Sequence, residues 1–457
     1  MNNVIDFINT HRDKYVDELK AYLAIPSISA LPEHAADVRR CAEWTVEELQ
    51  RIGMQNVRAI ETGGHPIVYA DWLGAEGAPT ILFYGHYDVQ PVDPVDLWES
   101  PPFEATVRDG EIYARGSADD KGQVFMHFKA IEAHLKQTGR LPVNIKVIIE
   151  GEEEVGSKHL DEFVAANREL LAADVVVISD SPMFDRGIPS ICYGLRGLVY
   201  MQIDLRGTKT DLHSGSFGGA VANPNMVLAQ ILAQMKDKGG RIKVPGFYDD
   251  VRELTAEERE QWKRLPFNEK RYAKEIGAPK LFGESGYTTL ERVWARPTLE
   301  VNGMAGGFIG EGAKTVIPAV AFAKVSMRLV PNQDPDKIAQ LFEDYVKKIT
   351  PKTVEVKVTR MHGGKPWMTD FNSGYVQAAA RAIEGAFNRT PVFTREGGSI
   401  PVVSTFQEVL GLPTVLFGVG LPDENAHAPN EKLDLANFHG GIIASALLYQ
   451  EIAGVSK

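Results

Sequence analysis

The sequence predicts an α/β protein in which a largely parallel-sheet domain is interrupted by an inserted α+β (ferredoxin-like) domain. Apolar runs at residues 80–84, 143–149 and 174–179 alternate with helical patterns at 121–135 and 157–171. This alternation is typical of buried parallel strands that are joined by covering helices. It predicts the first fold element, a helix-covered sheet.

The pattern changes after about residue 193, where strict alternation replaces the continuous apolar runs. Residues 199–205 read VYMQIDL and residues 320–329 read VAFAKVSMRL. Apolar and polar residues that alternate in this way indicate strands with one covered face. The other elements predicted in this region are helices at 225–235 and 334–349, a strand at 353–359 and a helical insertion at 249–296.

Helical patterns also begin and end the chain. Residues 1–23 are amphipathic, with Ile8, Tyr15 and Leu19 near one face. The α/β pattern returns at about Trp367. It consists of a helix at 375–387, a strand at 414–417 and a helix at 435–452.

The length of 457 residues suggests two or three domains, and these patterns divide the chain into two. We assign residues 1–192 and 367–457 to one discontinuous domain. Residues 193–366 form the inserted domain.

Composition excludes several classes of protein. The chain has 49 basic and 61 acidic residues, a net charge of −12 at pH 7 and no long basic run. We therefore expect no binding to nucleic acid or to a membrane. Its two cysteines, Cys41 and Cys192, are too few for a disulfide framework or a thiolate zinc site. A cytoplasmic location is the expectation.

Polar residues follow the predicted strands, at the edge where open α/β sheets usually place their active sites. His86 and Asp88 come just after the run 80–84. Residues two apart on an extended chain point to the same side, so His86 could bind a metal while Asp88 orients its ring. Asp119 and Asp120 precede a helix. Because Asp is common at helix N-caps, we assign Asp120 to local structure and Asp119 to metal binding.

Three further places supply carboxylates and a histidine. Glu153 and Glu154 follow the strand at 143–149; such an acidic turn is as often merely solvated, but neighbouring carboxylates can also act as general base and metal ligand. Asp180 ends the next strand, where Asp is usually a turn former. His427 lies in the loop AHAPNE, where a lone histidine would mean little.

The ligand set that we predict has only nitrogen and oxygen donors, which suit zinc, manganese or cobalt. Its five members are His86, Asp119, Glu154, Asp180 and His427. Two ions sharing a bridging carboxylate account for the number of ligands. In this arrangement, Asp119 lies between a metal held by His86 and Asp180 and a metal held by Glu154 and His427.

These motifs are recognisable as a set. GHYDVQPV, ARGSADDKG, GEEEVGS, the end of the strand at Asp180 and AHAPNE together resemble the dinuclear-zinc metallopeptidases, a family that includes carnosinase-type dipeptidases, aminoacylases and carboxypeptidase G. The resemblance runs essentially from end to end. DLHSG, GAKTVIP, MRLVPN, REGGSIP and the long insertion are most similar to the carnosinase and cytosolic non-specific dipeptidase branch.

The resemblance implies two divalent metal ions per chain, with zinc expected and manganese or cobalt possible. It implies Glu153 as the general base and a cis peptide between Asp119 and Asp120. It also implies a homodimer built through the inserted domain, which would serve as a lid and dimerisation domain. In such a dimer His213 would reach the active site of the other subunit, where we expect it to stabilise the oxyanion.

Four residues are candidates for substrate binding. The resemblance implies that Arg328 and His362 hold the substrate. Gly398 and Ser399 lie in a Gly-Gly-Ser loop whose backbone N–H groups could bind a carboxylate. No GxSxG motif surrounds Ser399, so we do not expect it to be a nucleophile.

The function that these expectations favour is metal-dependent hydrolysis of dipeptides. One alternative is an amidohydrolase or deacylase that acts on N-acyl amino acids, because the ligand pattern does not separate the two. An alternative of another class is a catalytically inactive metal-binding interaction protein, against which the retained Glu153 argues. No Walker-type loop supports a nucleotide-dependent enzyme.

Overall fold

The computed structural model contains two compact units. One consists of Met1–Tyr193, Thr369–Thr394 and Pro401–Lys457, and is called the outer unit below; the other consists of Gly194–Met368 and Arg395–Ile400, and is called the inserted unit. The structure describes residues 1–398 and 400–455. Ser399, a predicted substrate-binding residue, lies outside the described residues.

Strands occur in both units. In chain order they are β1 (Gln55–Ile60), β2 (Ile67–Trp72), β3 (Thr80–His86), β4 (Thr106–Arg108), β5 (Glu111–Tyr113), β6 (Asn144–Glu150), β7 (Val175–Ile178), β8 (Ser190–Leu195), β9 (Gly197–Arg206), β10 (Leu212–His213), β11 (Thr298–Gly306), β12 (Val316–Ile317), β13 (Val320–Leu329), β14 (Glu355–Gly364), β15 (Trp367–Met368), β16 (Val392–Glu396), β17 (Thr414–Leu416) and β18 (Lys432–Asp434).

Helices separate most of these strands. They are α1 (Asn2–Thr10), α2 (Arg12–Leu23), α3 (Ala35–Ile52), α4 (Lys121–Thr138), α5 (Leu160–Ala166), α6 (Ser214–Phe217), α7 (Pro224–Ala233), α8 (Ala256–Lys263), α9 (Glu269–Glu275), α10 (Thr289–Ala295), α11 (Pro335–Ile349), α12 (Gly374–Phe387), α13 (Pro401–Thr405) and α14 (Leu435–Ala453). Among the described residues, no helix is both long and apolar enough to cross a membrane.

The central sheet of the outer unit has the strand order β1-β2-β6-β3-β7-β17-β8. Its middle strands β6, β3, β7 and β17 are mutually parallel, and β2 and β8 pair antiparallel on either side of them. The middle strands are rich in β-branched residues and almost completely buried, as expected for a sheet that is covered on both faces. The predicted largely parallel α/β fold is confirmed.

The inserted unit contains an antiparallel sheet with the order β11-β13-β9-β14. With α7 and α11 the chain order is β-α-β-β-α-β, and the first strand lies between the third and fourth, as in ferredoxin-like folds. Burial alternates along β9 and β13, whose inner residues pack with those of the two helices in one apolar core. The predicted α+β, ferredoxin-like domain is therefore also confirmed.

The polar segment at 249–296 is helical, as predicted, and forms α8, α9 and α10. Capping boxes begin two of these helices: Thr255 with Glu258, and Thr288 with Glu291. Glu258 is buried and forms an ion pair with the buried Arg395. The arginine of the REGGSIP motif thus has a structural partner in this insertion.

Two helices differ from their predicted extents. The amphipathic pattern of residues 1–23 is split at His11, whose φ of −111° interrupts the helical backbone between α1 and α2. The helix expected at 157–171 is limited to α5 (Leu160–Ala166). Its start is delayed because Ser157 has a left-handed backbone, with φ of 49°.

Candidate metal centre

The outer unit places the five predicted ligands at one edge of its central sheet. His86 is the last residue of β3, and Glu154 lies in the short 3₁₀ turn after β6. Asp180 follows β7 by two residues, and His427 lies in the loop after β17. Because these strands are parallel neighbours, their carboxyl ends bring the loops together. Asp119 joins them from the segment that leads into α4.

Asp119 lies between two histidines. Its Oδ1 is 3.1 Å from Nε2 of His86, and its Oδ2 is 2.8 Å from Nε2 of His427. The Nε2 atom of His427 is also 3.2 Å from Oε2 of Glu154. One carboxylate therefore uses both of its oxygens to link two imidazole nitrogens.

Two potential ligand groups share this carboxylate. One contains His86, Asp119 and Asp180, and the other contains Asp119, Glu154 and His427; within each, the ligand atoms lie within 4.8 Å of one another. Carboxylate oxygens and imidazole nitrogens are ligands that zinc and other first-row divalent metals accept. The residues thus fit a pair of cations with Asp119 between them.

The electrostatics of the cluster point the same way. Burial raises the pKa of Asp180 to about 7, and the negative charge of Asp119 adds to the shift. Burial also raises the pKa of Glu153 well above its ordinary value; the charge of His86 opposes the shift, and the charges of Asp180 and Glu154 add to it. Crowding carboxylates in a buried site is unfavourable, and cations between them relieve it.

The pKa values of the two histidines are also raised, which for an imidazole favours the charged form. Hydrogen bonds with Asp119 and Glu154 raise the pKa of His427 to about 10. Burial lowers the pKa of His86, but its interactions with carboxylates, led by the bonds with Asp119 and Asp88, raise the pKa well above its ordinary value. Burial opposes the shift of Asp119, whose pKa is nevertheless lowered by its bonds with both histidines.

Asp88 contacts more than the histidine that was predicted. Nδ1 of His86 is 3.1 Å from the main-chain oxygen of Asp88 and 3.4 Å from its Oδ1. The fully buried Asp88 carboxylate also accepts hydrogen bonds from the main-chain N–H groups of Glu153 and Glu154, at 3.2 and 3.1 Å, and from the Ser29 hydroxyl, at 2.6 Å. Asp88 therefore fixes both the turn that carries the two glutamates and the ring of His86.

Asp120 occupies the N-cap position of α4, but its side chain forms no capping hydrogen bond. Its Oδ2 instead accepts from the main-chain N–H of His86, at 3.3 Å. The Asp119–Asp120 peptide is cis, which confirms that expectation. The local role assigned to Asp120 is thus contact with the β3 end, and not helix capping.

Two residues that hold the site were not singled out from the sequence. Gln90, in the GHYDVQPV motif, donates from Nε2 to Oε2 of Glu154 at 2.7 Å. Glu431, in AHAPNE, is completely buried and forms an ion pair with the buried Arg115 at 2.7 Å. Both residues lie within motifs that also contain predicted ligands, and this was the only sequence signal that could have identified them.

Glu431 connects two ligand loops. Its carboxylate accepts hydrogen bonds from the main-chain N–H groups of Gly116, Ala118 and Asp119, at 2.9, 2.9 and 3.1 Å. It lies four residues after His427, so one side chain joins the His427 loop to the Asp119 segment. The left-handed backbone of His427, with φ of 61°, is the kind of local strain that surrounding structure must hold.

The remaining predicted residues lie in the inserted unit. His213 is exposed at the end of β10, and its Nδ1 accepts from the N–H of Gly215 at 3.0 Å. In the neutral ring the proton is then on Nε2. The exposed His362 stacks on Tyr200, with ring centroids 5.0 Å apart. The exposed Gly398 belongs to the segment 395–400.

Arg328 lies on β13 and is only partly buried, and burial lowers its pKa. One of its two cross-strand partners is Leu198 on β9, two residues beyond Arg196; the other is Thr298 on β11. Burial lowers the pKa of Arg196 to about 10, and the positive charge of Arg328 adds to the shift. Two guanidinium groups thus occupy the same part of the inserted unit.

Comparisons with known proteins agree with this chemistry. Cys-Gly metallodipeptidase DUG1 of Candida albicans is 37% identical over 459 residues, which cover 96% of this chain and 94% of the relative. The crystal structure of human carnosine dipeptidase 1 superposes with a TM-score of 0.83 at 33% identity and 99% coverage of both chains. That of an M20 family metallo-carboxypeptidase from Sulfolobus solfataricus gives 0.84 at 34% identity, covering 96% of this chain and 99% of the other.

The predicted family resemblance is confirmed by the description of a protein family that matches most of the chain. Residues 82–451 match the family description "Peptidase family M20/M25/M40". This range contains each of the five predicted ligands and Glu153. The chain is a hydrolase that belongs to peptidase family M20/M25/M40.

Proposed function

We propose that this protein is a dipeptidase that uses two divalent metal ions. The observation that carries the proposal is the position of Asp119, whose two oxygens separately face His86 and His427. We assign His86, Asp119 and Asp180 to one ion, and Asp119, Glu154 and His427 to the other. Such a pair of ions would polarise the peptide carbonyl and lower the pKa of the attacking water.

Glu153 is the proposed general base. It adjoins the ligand Glu154, and it belongs to neither of the ligand groups formed by the described residues. It would take a proton from the attacking water and then deliver a proton to the leaving amine. Asp88 supports this role because it holds the main-chain N–H of Glu153 and orients His86.

The inserted unit is proposed to bind the substrate. His213, protonated at Nε2, can donate a hydrogen bond to the developing oxyanion. Arg328 can bind the substrate carboxylate with its planar guanidinium. His362, Gly398 and Ser399 are further proposed contacts, and the N–H groups of the last two would provide anion-binding donors.

We also propose a homodimer through the inserted unit, with His213 acting on the site of the other subunit. The edge strand β11 carries the exposed apolar residues Val301 and Met304, and the segment after it exposes 46% of Phe308 and 89% of Ile309. Exposed apolar clusters at a sheet edge are typical of association surfaces. Sedimentation analysis should give twice the chain mass, and Ile309→Asp should shift the protein toward monomer; a monomeric wild-type protein would contradict the proposal.

Mixing two inactive variants tests action in trans. Mixed dimers of His213→Ala and Glu153→Gln subunits contain one site with both Glu153 and a partner histidine. We expect them to regain activity that neither variant has alone. Verified mixed dimers without recovered activity would remove His213 from the mechanism in trans.

Zinc is the proposed metal, with manganese and cobalt as alternatives. A cytoplasmic location is proposed from the low cysteine content, since two cysteines provide no disulfide framework. The main functional alternative is hydrolysis of N-acyl amino acids. The relatives favour dipeptides, because the C. albicans protein is a Cys-Gly metallodipeptidase and the human one a carnosine dipeptidase.

The decisive experiment is a substrate panel with defined metals. The protein is stripped with a chelator, reloaded with zinc, manganese or cobalt, and assayed with Cys-Gly, β-Ala-His, other dipeptides and N-acetyl amino acids. We expect dipeptide hydrolysis that is lost on stripping and restored by metal. Hydrolysis of acylated amino acids alone would favour the deacylase, and no hydrolysis with bound metal would favour the inactive binding protein.

Glu153→Gln tests the general base. Turnover should fall by about a hundredfold or more, as expected for loss of general acid–base catalysis, while metal content stays at the wild-type value. Glu152→Gln is a matched control, because the Oε2 of this neighbouring carboxylate lies 2.7 Å from Nδ1 of His159 and Glu152 belongs to neither ligand group. Equal activity in Glu153→Gln and wild type would refute the assignment.

A further inference from the structure

A cavity of about 370 Å³ in the outer unit borders the candidate metal centre. Three carboxylates line it, from Asp119, Asp180 and Glu424; its described lining contains no lysine, arginine or histidine. Pro182 and Leu421 contribute apolar wall. Two of the carboxylates are proposed metal ligands, which leaves Glu424 without an assigned role.

Glu424 is buried in a way that needs an explanation. Its side chain is only 6% exposed, and among the described residues its Oε1 has no hydrogen-bond partner. A buried polar atom without a partner costs free energy, so such atoms are rare unless a ligand or water contacts them. Burial raises the pKa of this carboxyl to about 9, and a positively charged ligand in contact with it would lower that pKa again.

The position of Glu424 is fixed by its main chain. Its N–H donates to the oxygen of Leu421 at 3.2 Å, and its own oxygen accepts from the N–H of Lys432 at 3.0 Å. Its Oε2 lies so close to Gly420 that a Cβ there would be 2.5 Å from it. The carboxyl is therefore held against the cavity wall by packing on one side, which suits a fixed recognition group.

We propose that Glu424 is the counter-charge for the free amino group of the substrate's N-terminal residue, which this cavity receives. The proposal rests on the dipeptidase function and deepens it. An ammonium group matches an acidic cavity beside the metal centre. An N-acyl substrate brings no positive charge, so it would desolvate Glu424 without compensation. The cavity would thus select dipeptides over N-acyl amino acids.

Glu424→Gln keeps the shape of the side chain and removes its charge. For free dipeptides we expect kcat/KM to fall about tenfold to a hundredfold, the loss that corresponds to one buried charged hydrogen bond. Hydrolysis of the N-acetylated dipeptides should not fall. Asp423→Asn is a matched control, because this adjacent carboxylate is exposed and pairs with Lys432 at 3.1 Å. Metal content, measured by elemental analysis, should equal that of wild type in both variants.

A binding measurement provides a readout that does not need turnover. In the Glu153→Gln background, calorimetry compares a dipeptide with its desamino analogue, in which hydrogen replaces the ammonium group. The dipeptide should bind about tenfold to a hundredfold more tightly when Glu424 is present, and the two should bind nearly equally when it is Gln. If Glu424→Gln does not fold, equal binding of the two ligands to the Glu153→Gln protein alone would overturn the proposal.

The outcomes separate this inference from the proposed function. If the metal-loaded wild-type protein hydrolyses no dipeptide, both are overturned. If it hydrolyses dipeptides but Glu424→Gln retains full preference for the free amino group, only the role of Glu424 is overturned. An equal loss for free and acetylated substrates would likewise overturn it, since it would indicate general damage to the site.

Discussion

Glu431→Gln should weaken both the fold and the metal centre. The wild-type carboxylate accepts from Ala118 and Asp119 with one oxygen, and from Gly116 and Arg115 with the other. A glutamine amide replaces one of these oxygens with an NH₂ group. Whichever oxygen is replaced, two buried donors then face a donor and lose their acceptor.

The size of the effect follows from burial. Arg115 is 1% exposed and Glu431 is fully buried, so the variant leaves a buried guanidinium without its anionic partner. Breaking a buried pair in this way costs about 3–5 kcal/mol of unfolding free energy. An unfolding entropy of about 2.1 cal/mol/K per residue amounts to about 1 kcal/mol/K for 457 residues, so this cost corresponds to a fall in Tm of roughly 3–5 °C. Because the N–H of Asp119 loses its anchor, metal affinity should fall about tenfold to a hundredfold.

Two measurements and one control test this reasoning. Calorimetric melting of the metal-stripped protein measures stability, and competition with a zinc-binding indicator measures metal affinity. Glu258→Gln is the control, because it breaks a buried pair with Arg395 in the inserted unit and should cost stability without changing metal affinity. Wild-type metal affinity in a destabilised Glu431→Gln would refute the positioning role. Wild-type stability would refute the energetic argument.

Two further predictions concern the elements around the site. Burial lowers the pKa of His127 from about 6.5 to about 3, so as the pH falls this histidine is protonated in the unfolded state before it is protonated in the folded state. In metal-free protein, the contribution of His127 to the free energy of unfolding should be fully present above pH 6.5 and fall by up to ~1.4 kcal/mol per pH unit below it. Urea unfolding of His127→Phe should therefore show a free energy of unfolding that depends less on pH than that of wild type. The reverse slope would contradict this. A Cβ on Gly122 would lie 2.0 Å from the main-chain oxygen of Ser117, so Gly122→Ala should lower Tm and metal affinity. Gly364→Ala is the control, because a Cβ there would meet no atom within 4 Å, and it should change neither quantity. Equal effects of the two variants would show that the close approach at Gly122 is unimportant.

Much of the fold could be predicted because its signals are local. The apolar runs of β3, β6 and β7 and the alternation of β9 and β13 are visible within single windows of sequence. The edge strand β1 was not predicted, since its sequence QNVRAI is polar and largely exposed. Its position depends on antiparallel pairing with β2, which no local pattern reports.

In the candidate metal centre, too, the locally encoded features could be predicted and the long-range contacts could not. The count of nitrogen and oxygen ligands and their places after strands were enough to predict Asp119 as the shared carboxylate. The contact of Glu431 with Asp119 spans 312 residues of sequence, and that of Asp88 with Glu153 spans 65. Such contacts follow from how loops meet in space, so the spacing of residues in the sequence does not reveal them. The N-cap position of Asp120 likewise does not reveal that its carboxylate accepts a hydrogen bond from His86 instead of capping the helix.

A second acidic cluster shows why carboxylate number alone does not define a metal site. Glu18, Glu48 and Glu132 also lie within ligand distance of one another. Here, however, Nζ of Lys129 lies 2.6, 2.6 and 3.1 Å from the three carboxylates, and Arg51 pairs with Glu48 and Glu132. Although burial opposes it, these cations lower the pKa of Glu132 to about 2. The protein itself supplies the positive charge in this cluster.

At the candidate metal centre the balance is reversed. Among the described residues, no lysine or arginine forms an ion pair with Asp119, Glu154 or Asp180, and the nearest positive groups are imidazoles that must be neutral to bind a metal. Burial therefore raises the pKa of Asp180 to about 7, whereas in the cluster around Lys129 the pKa of Glu132 is lowered. The folded sheet edge therefore carries an excess of buried negative charge that no described lysine or arginine neutralises. Two bound cations would balance this negative charge, so the electrostatics of the sheet edge favour the proposed two-metal chemistry.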